Sequence, residues 1–505
     1  KEAETLFEKC AAALEAAGAN LKGPKSKRIG PRYEYSSFAG ASVGDRSVAG
    51  DDDARPKQVQ KFINRMKALA ELELPSQDKL LLLKHANYSI AFWAAASAPE
   101  FVARWADRLK QAQLSVLFQI SQTSAITASN WSHLASALGS FGFGLVDVSL
   151  HEQLHQCGDK QINIALGKEP GGRGSGARWL DDNSAYAVAA TAKWWQTETR
   201  SDKRWGYLKA GLAWHDIIPS RPDLQLSDGA VAFALRHQLG IATNTAPCKK
   251  SPGTPDIPDD DDGAHGCTSP SGTLDHAMLC RFCTGWKKRR HDATLASLIA
   301  VSNFYSVGLA KEVYRFLAMA MPEDATKAVG IVPDAVVVKA DRLNLDGKVM
   351  FLDLAIVHHT NEIEFPSAVP AQRMFQHKKY KYDGLLKLKA GRAEDEDDDG
   401  GAQLDDGHQT PSVHLTMEQL SDEQRLVWAR TVTQEVVPIV FSSDAFIHMR
   451  SWNYLTQLAT GSVAPRDEFG AMERAGFASA AVKRMQVTML NETAKGLALR
   501  AYGLR

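Results

Sequence analysis

Apolar residues recur every three to four positions over much of the first half of the chain. The run 3–17 (AETLFEKCAAALEAA) has this spacing and stops at Gly18, a helix-ending signal. The same spacing predicts amphipathic helices over 55–73, 76–95, 99–125, 184–197 and 226–239, the last opened by the capping run Leu226-Ser227-Asp228. Loops are expected at 44–54 and 167–176. After about residue 245 the pattern changes. Residues 251–266 (SPGTPDIPDDDDGAHG) are rich in Pro, Gly and Asp and read as a loop. A helix is expected from about 291 to 320. Two strand-like runs follow, 334–340 (DAVVVKA) and 349–357 (VMFLDLAIV), joined by the turn Leu345-Asp346-Gly347. A basic helix over 368–389 comes next, then acidic low-complexity sequence over 391–412, a helix over 416–435, the strand 436–442 (VVPIVFS) and helix again over 450–503. No internal repeat is visible.

The order helix, strand, turn, strand, helix, helix, strand is α/β, whereas the first half is helical. The expected fold class is therefore a multi-domain α+β or α/β chain, with a boundary near 245–290. A length of 505 residues suggests about three domains. With 44 % apolar and 23 % charged residues the composition is that of a globular protein, which excludes a wholly disordered chain, a collagen or a disulfide miniprotein. No run reaches the roughly 18 apolar residues of a membrane helix, since the best candidate, from Ser89 to Ala98, stops at Pro99-Glu100. No membrane association is expected. The sequence opens at Lys1 without Met or an apolar leader, so a processed chain or a fragment is expected. Lys and Arg balance Asp and Glu at 59 each, so nucleic-acid binding must be judged from local charge.

Three constellations carry candidate chemistry. Cys248, Cys267, Cys280 and Cys283 fall within 36 residues, with His276 among them. Cys267, His276 and Cys280 lie within 14 residues, close enough to wrap one tetrahedral Zn²⁺, with Cys248 as the preferred fourth ligand and Cys283 as its competitor. The second is a carboxylate pair. Asp334 opens one strand and Asp353 sits inside the next within the apolar run FLDLAIV. A carboxylate there is costly unless paired or bound to metal. Two carboxylates on adjacent antiparallel strands can converge on Mg²⁺, which activates water for attack on a phosphodiester. Lys378, Lys379 and Lys381 on the following helix would supply the cation that stabilises the developing charge. A hairpin with one structural Asp and a solvated basic face is the alternative. The third is the basic run Lys287-Lys288-Arg289-Arg290-His291, suited to phosphate contact, to nuclear import or to plain solvation.

Taken in order, these pieces resemble the C-terminal half of a non-LTR retrotransposon polyprotein, of the class that carries a restriction-like endonuclease. Gly18–Ser26 (GANLKGPKS) resembles the polymerase motif ending in Lys-Ser/Thr, with Lys25 as its lysine, although Lys22 stands where the family usually has Asn. Phe38-Ala39-Gly40 resembles the primer-grip turn, and 55–105 the thumb helices. Ser140–Leu145 (SFGFGL) is similar to the turn of the linker, and Leu226–Gly240 to the helix before the zinc knuckle. Asp275–Cys280 matches the knuckle, and Arg290-His291-Asp292-Ala293 the basic element after it. Pro333-Asp334, Asp353–Ile356 and Lys378-x-x-Lys381-Tyr382 match the core of a PD-(D/E)XK nuclease. Cys248 and Cys267, usually two residues apart, are here split by an acidic insertion. No Ala-Asp-Asp or Tyr-x-Asp-Asp precedes Gly18.

The resemblance implies the end of a polymerase palm and thumb over 1–110, a helical linker over 111–245, a zinc knuckle over 246–292, a nuclease domain over 293–445 with its insertion near 391–412, and C-terminal helices over 446–505. It implies metal-dependent nicking of target DNA to prime reverse transcription of element RNA, with no polymerase activity from this chain alone. Asp334 and Asp353 would hold catalytic Mg²⁺, and Lys378 and Lys381 would complete the catalytic set. Structural Zn²⁺ would lie on Cys248, Cys267, His276 and Cys280. Lys25, Lys287, Lys288, Arg289, Arg290, His291 and Tyr382 would contact nucleic acid. DNA, element RNA and a larger ribonucleoprotein are the implied partners, and the nucleus the implied location. A domesticated, catalytically silent ribonucleoprotein subunit, in an organelle, is the alternative.

Overall fold

The computed structural model describes residues 36–38, 41–43, 57–136, 141–165, 167–168, 184–197, 205–241, 274–279, 284–305, 309–311, 333–337, 350–358, 370–386, 436–461 and 468–501. The helices expected over 3–17 and 416–435 and the acidic run 391–412 lie outside the described residues. The described chain is mostly helical with a small mixed sheet. It falls into two compact units, 1–199 and 200–505.

In the first unit a short antiparallel pair, β1 (Ser36–Phe38) and β2 (Ala41–Val43), flanks the expected primer-grip turn. Helices α1 (Lys57–Glu71), α2 (Ser76–Ala96) and α3 (Pro99–Ser121) follow close to their expected bounds. The periodicity explains α1, whose Val59, Phe62, Met66 and Leu69 are buried on one stripe. Two further helices escaped the pattern. The short α4 (Ala128–Ala135) is opened by a capping box between Thr127 and Asn130. The second, α5 (His151–Ala165), is polar and carries Gly158, both of which weaken a helical signal. Gly158 is needed there, because a Cβ on it would lie 2.7 Å from the Ala95 carbonyl at the end of α2. Helix α6 (Ala185–Thr197) closes the unit and stacks Trp194 on His133 with ring centroids 4.5 Å apart.

The second unit is built on a four-stranded sheet of order β3-β4-β5-β6. Helices α7 (Asp228–Gln238), α8 (Leu274–Leu279) and α9 (Thr284–Phe304) precede it. The α9 helix starts earlier and ends sooner than expected, and the chain beyond it turns into β3 (Leu309–Ala310). Two residues are too few for any period, and pairing with β4 (Ala335–Val337) defines them as a strand. Then β5 (Met350–Val357) pairs antiparallel with β4. Helix α10 (Pro370–Leu386) packs on β5 and β6 and makes the crossover that parallel strands require. The last strand, β6 (Val436–Ser442), runs parallel to β5. Pro438 has no N–H to give, which suits an edge strand. Ser451 covers that edge by accepting from Val440 N at 3.1 Å and donating to the Pro438 carbonyl at 2.8 Å.

The expected C-terminal helices are α11 (Met449–Gly461) and α12 (Glu468–Ala501). They do not stand apart as a C-terminal segment. Helix α12 lies along α9 and also against α7. Gln486 Nε2 donates to the carbonyls of Leu212 and Ala445, both at 2.7 Å, and Asn491 caps Ser227 N at 2.9 Å. These ties join 205–240, expected within the linker, to the sheet-bearing unit.

The approach of α12 to α9 is close at Gly496, where a Cβ would lie 2.6 Å from Cε3 of buried Trp286. Gly496→Ala should therefore lower stability by about 1–3 kcal/mol despite its better helix propensity, as measured by urea denaturation. A second prediction concerns pH. His448 is enclosed, stacked on Phe375 at 4.6 Å, donates through Nε2 to Gln372 Oε1 at 2.9 Å and accepts through Nδ1 from Arg450 N at 3.2 Å. Burial, with help from the Arg450 charge, pushes its pKa down to about 4. The unfolded imidazole takes up a proton near pH 6.5, so the unfolded state binds more protons between 6.5 and 4. Stability should be full above pH 6.5 and fall by about 2–3 kcal/mol as pH drops toward 4. Melting curves across that range should show this slope in the wild type and a shallower one in His448→Gln.

Candidate active site

The sheet brings the two candidate carboxylates together. In the β4–β5 register Ala335 is the last paired residue of β4, opposite Leu352. Asp334 lies one residue before β4, and its N–H already donates to the Leu352 carbonyl at 2.9 Å. Its Oδ2 accepts from Leu354 N at 2.7 Å, which fixes the carboxyl against β5. The two carboxyls are within hydrogen-bonding reach of each other.

Asp353 is buried between Leu352 and Leu354. A charge in that position needs a partner. Lys378 on α10 supplies it, with Nζ 2.8 Å from Asp353 Oδ2 and a side chain 21 % exposed. On the other carboxylate sits His291, from α9. Its Nε2 lies 3.1 Å from Asp334 Oδ2 and 3.1 Å from the Leu354 carbonyl, and its Nδ1 lies 3.3 Å from Asp292 Oδ1.

These contacts set the protonation of the group. Burial pushes the Asp353 carboxyl well above the usual range, and the neighbouring Asp334 adds to this against the pull of Lys378. Burial also acts upward on Asp334, but the His291 bond and charge outweigh it and hold this carboxyl low. For His291 burial acts downward, and the bond to Asp334 more than reverses it. One carboxyl is thus held low and the other pushed up by their different surroundings.

The donor set suits a hard cation. Among the described residues no three His, Cys, Asp or Glu side chains are arranged as a ready metal cage. Protein ligation here would come from the Asp334 and Asp353 carboxylates with the adjoining Leu354 carbonyl, all oxygens of the kind that Mg²⁺ or Mn²⁺ prefers.

The other expected site residues are placed unevenly. Lys288 and Arg289 are exposed on α9 and Lys287 is half-buried there. Arg290 departs from the expectation of phosphate contact. It is buried over the Trp286 ring, with Nη1 3.5 Å from Thr493 Oγ1, and burial lowers its pKa to about 10. The α-helical period explains this, since a run of five residues covers every face of a helix and one must point inward. Lys381 and Tyr382 lie on α10 and His276 on α8, and only their helical placement is described. Lys25, Cys248, Cys267, Cys280 and Cys283 lie outside the described residues. Sequence reasoning assigned His291 to nucleic acid and missed its contact with Asp334. The signal was the His-Asp pair at 291–292, a donor beside a carboxylate, but nothing local names its partner 43 positions on.

No protein-family model and no curated protein matches the chain.

The Lys378–Asp353 pair is testable through stability. Lys378→Met strands a buried carboxylate and should destabilise the fold by about 1–3 kcal/mol, whereas adding Asp353→Leu should recover most of the loss. A denaturant series on the single and double variants reads this directly. Equal stability of Lys378→Met and wild type would remove the ion pair from the account.

Proposed function

We propose that the 200–505 unit is a metal-dependent nuclease of PD-(D/E)XK type that nicks DNA. The observation that carries this reading is the convergence of the Asp334 carboxyl, bonded to Leu354 N of β5, with the Asp353 carboxyl, and Lys378 Nζ 2.8 Å from Asp353. The element order also supports it: a helix, three antiparallel strands, a crossover helix and a parallel strand. The two acidic residues and the lysine come from the residue before the second strand, the third strand and the crossover helix of that series.

Asp334 and Asp353, with the Leu354 carbonyl, would hold a divalent ion, which would make water easier to activate near neutral pH and would offset charge on the phosphate. The chain's own residues do the rest. Asp334 and Asp353 bind and orient. Lys378, fixed by Asp353 and partly exposed, is positioned to support a phosphate oxygen as it gains charge. Exposed Lys288 and Arg289 offer backbone contacts without reading sequence. In this reading Zn²⁺ sits on Cys267, His276 and Cys280 with Cys248 or Cys283, and the nick primes reverse transcription of an element RNA in the nucleus.

A second reading, a silent nucleic-acid-binding subunit, is favoured by one observation: Asp334 and Asp353 are each already engaged by a protein donor, His291 and Lys378. A nicking assay on supercoiled plasmid with Mg²⁺ or Mn²⁺ separates the two. The nuclease reading expects metal-dependent relaxed circles from the wild type and at least about a hundredfold less from Asp353→Ala, with the variant's melting temperature kept or raised. Equal nicking by both, or none by a folded wild type over varied DNA targets, favours the silent subunit.

A further inference from the structure

The inference rests on the metal-dependent reading above and concerns what holds the same seat when the ion is away. His291 Nε2 is 3.1 Å from both Asp334 Oδ2 and the Leu354 carbonyl oxygen. Both atoms are acceptors, so Nε2 carries a hydrogen and shares it between them. A hard divalent ion draws carboxylate and peptide-carbonyl oxygens together. Beside the Asp353 carboxyl, those are the oxygens that the imidazole already spans. The N–H and the ion compete for the same lone pairs.

We propose that His291 is a displaceable occupant of the cation seat, so that a divalent ion binds Asp334 only as the imidazole leaves. The surroundings permit the exchange. The His291 side chain is 29 % exposed, whereas Asp353 beside it is 3 % exposed and held by Lys378. A partly exposed ring can turn to another rotamer without opening the core. The ion then binds only the fraction of molecules with the ring turned out, and its apparent affinity is reduced by that fraction. Asp292, at the other ring nitrogen, is itself on the exposed side of α9 and adds to the hold on the ring.

Calorimetric titration of the full chain with Mn²⁺ alone, at one pH, tests this. Asp334→Asn serves as the blank for ions taken up elsewhere, notably by the Asp-rich runs. The wild type should show a weak component absent from that blank. His291→Ala should tighten this component about tenfold or more, and His291→Gln, which keeps a side-chain N–H, should return it toward the wild-type value. Thermal melts accompany each variant, and His291→Ser carries the same comparison should the alanine variant fold poorly. Unchanged or weaker binding by His291→Ala, with the component present in both, overturns the inference alone. A wild type and His291→Ala both indistinguishable from Asp334→Asn overturn the cation reading and the inference with it.

Discussion

Asp353 stands in the middle of an apolar strand, between two leucines whose side chains are sealed from water. An uncompensated carboxylate there costs several kcal/mol, enough to matter against the small net stability of any domain. The sheet-bearing unit is arranged around meeting that cost. Lys378 must reach the strand from α10, which fixes the rotation of the crossover helix over β5 and β6. The crossover in turn makes β6 parallel to β5 and leaves it at the sheet edge. A hydrophobic residue at 353 would satisfy the strand more simply. The chain instead has a carboxylate there, with that of Asp334 within its reach.

The rest of the unit holds this strand pair in place. The outer edge of β6 is closed by Ser451 and by His448, whose N–H donates to the Val440 carbonyl. From α7, His237 meets Ser443 at 2.8 Å, just past the end of β6. Helix α12 ties the segment before α7 to the turn at Ala445 through Gln486. Such long-range polar bonds, made by buried groups, fix geometry more sharply than apolar packing does. A pair of carboxylates needs that, because small errors in their separation change what they can bind.

Much of this was legible along the chain, and the exceptions follow physical lines. Strand β6 was recognisable as a short apolar run, and the helices α1 and α7 by an apolar stripe and a serine cap. Asp353 stood out because a charge interrupts an apolar run. The β4–β5 register was not legible, since a turn centred on Asp346 would set Asp334 near residue 358, whereas Ala335 pairs with Leu352. What stayed hidden depends on partners distant in sequence. Strand β3 exists only through pairing, α5 is masked by a glycine that another helix demands, and Arg290 turns inward because Trp286 and Thr493 receive it. His291 read as one more member of a basic run, and only the fold brings it to a carboxylate on another element.

The balance of charge at the site is the remaining step. Asp334, Asp353 and Asp292 share two nitrogen partners, Lys378 and the His291 imidazole. The two positive partners are not equivalent. Lys378 neutralises a carboxylate that the core cannot otherwise tolerate, and removing it from Asp353 would expose the strand to the full burial penalty. His291 neutralises a carboxylate that is itself partly open to solvent and bonded to a backbone N–H. Its departure leaves Asp334 solvated and still anchored. The asymmetry makes Asp334 the acid whose nitrogen partner can leave at least cost, because it keeps solvent and the Leu354 N–H, while Lys378 stays with Asp353.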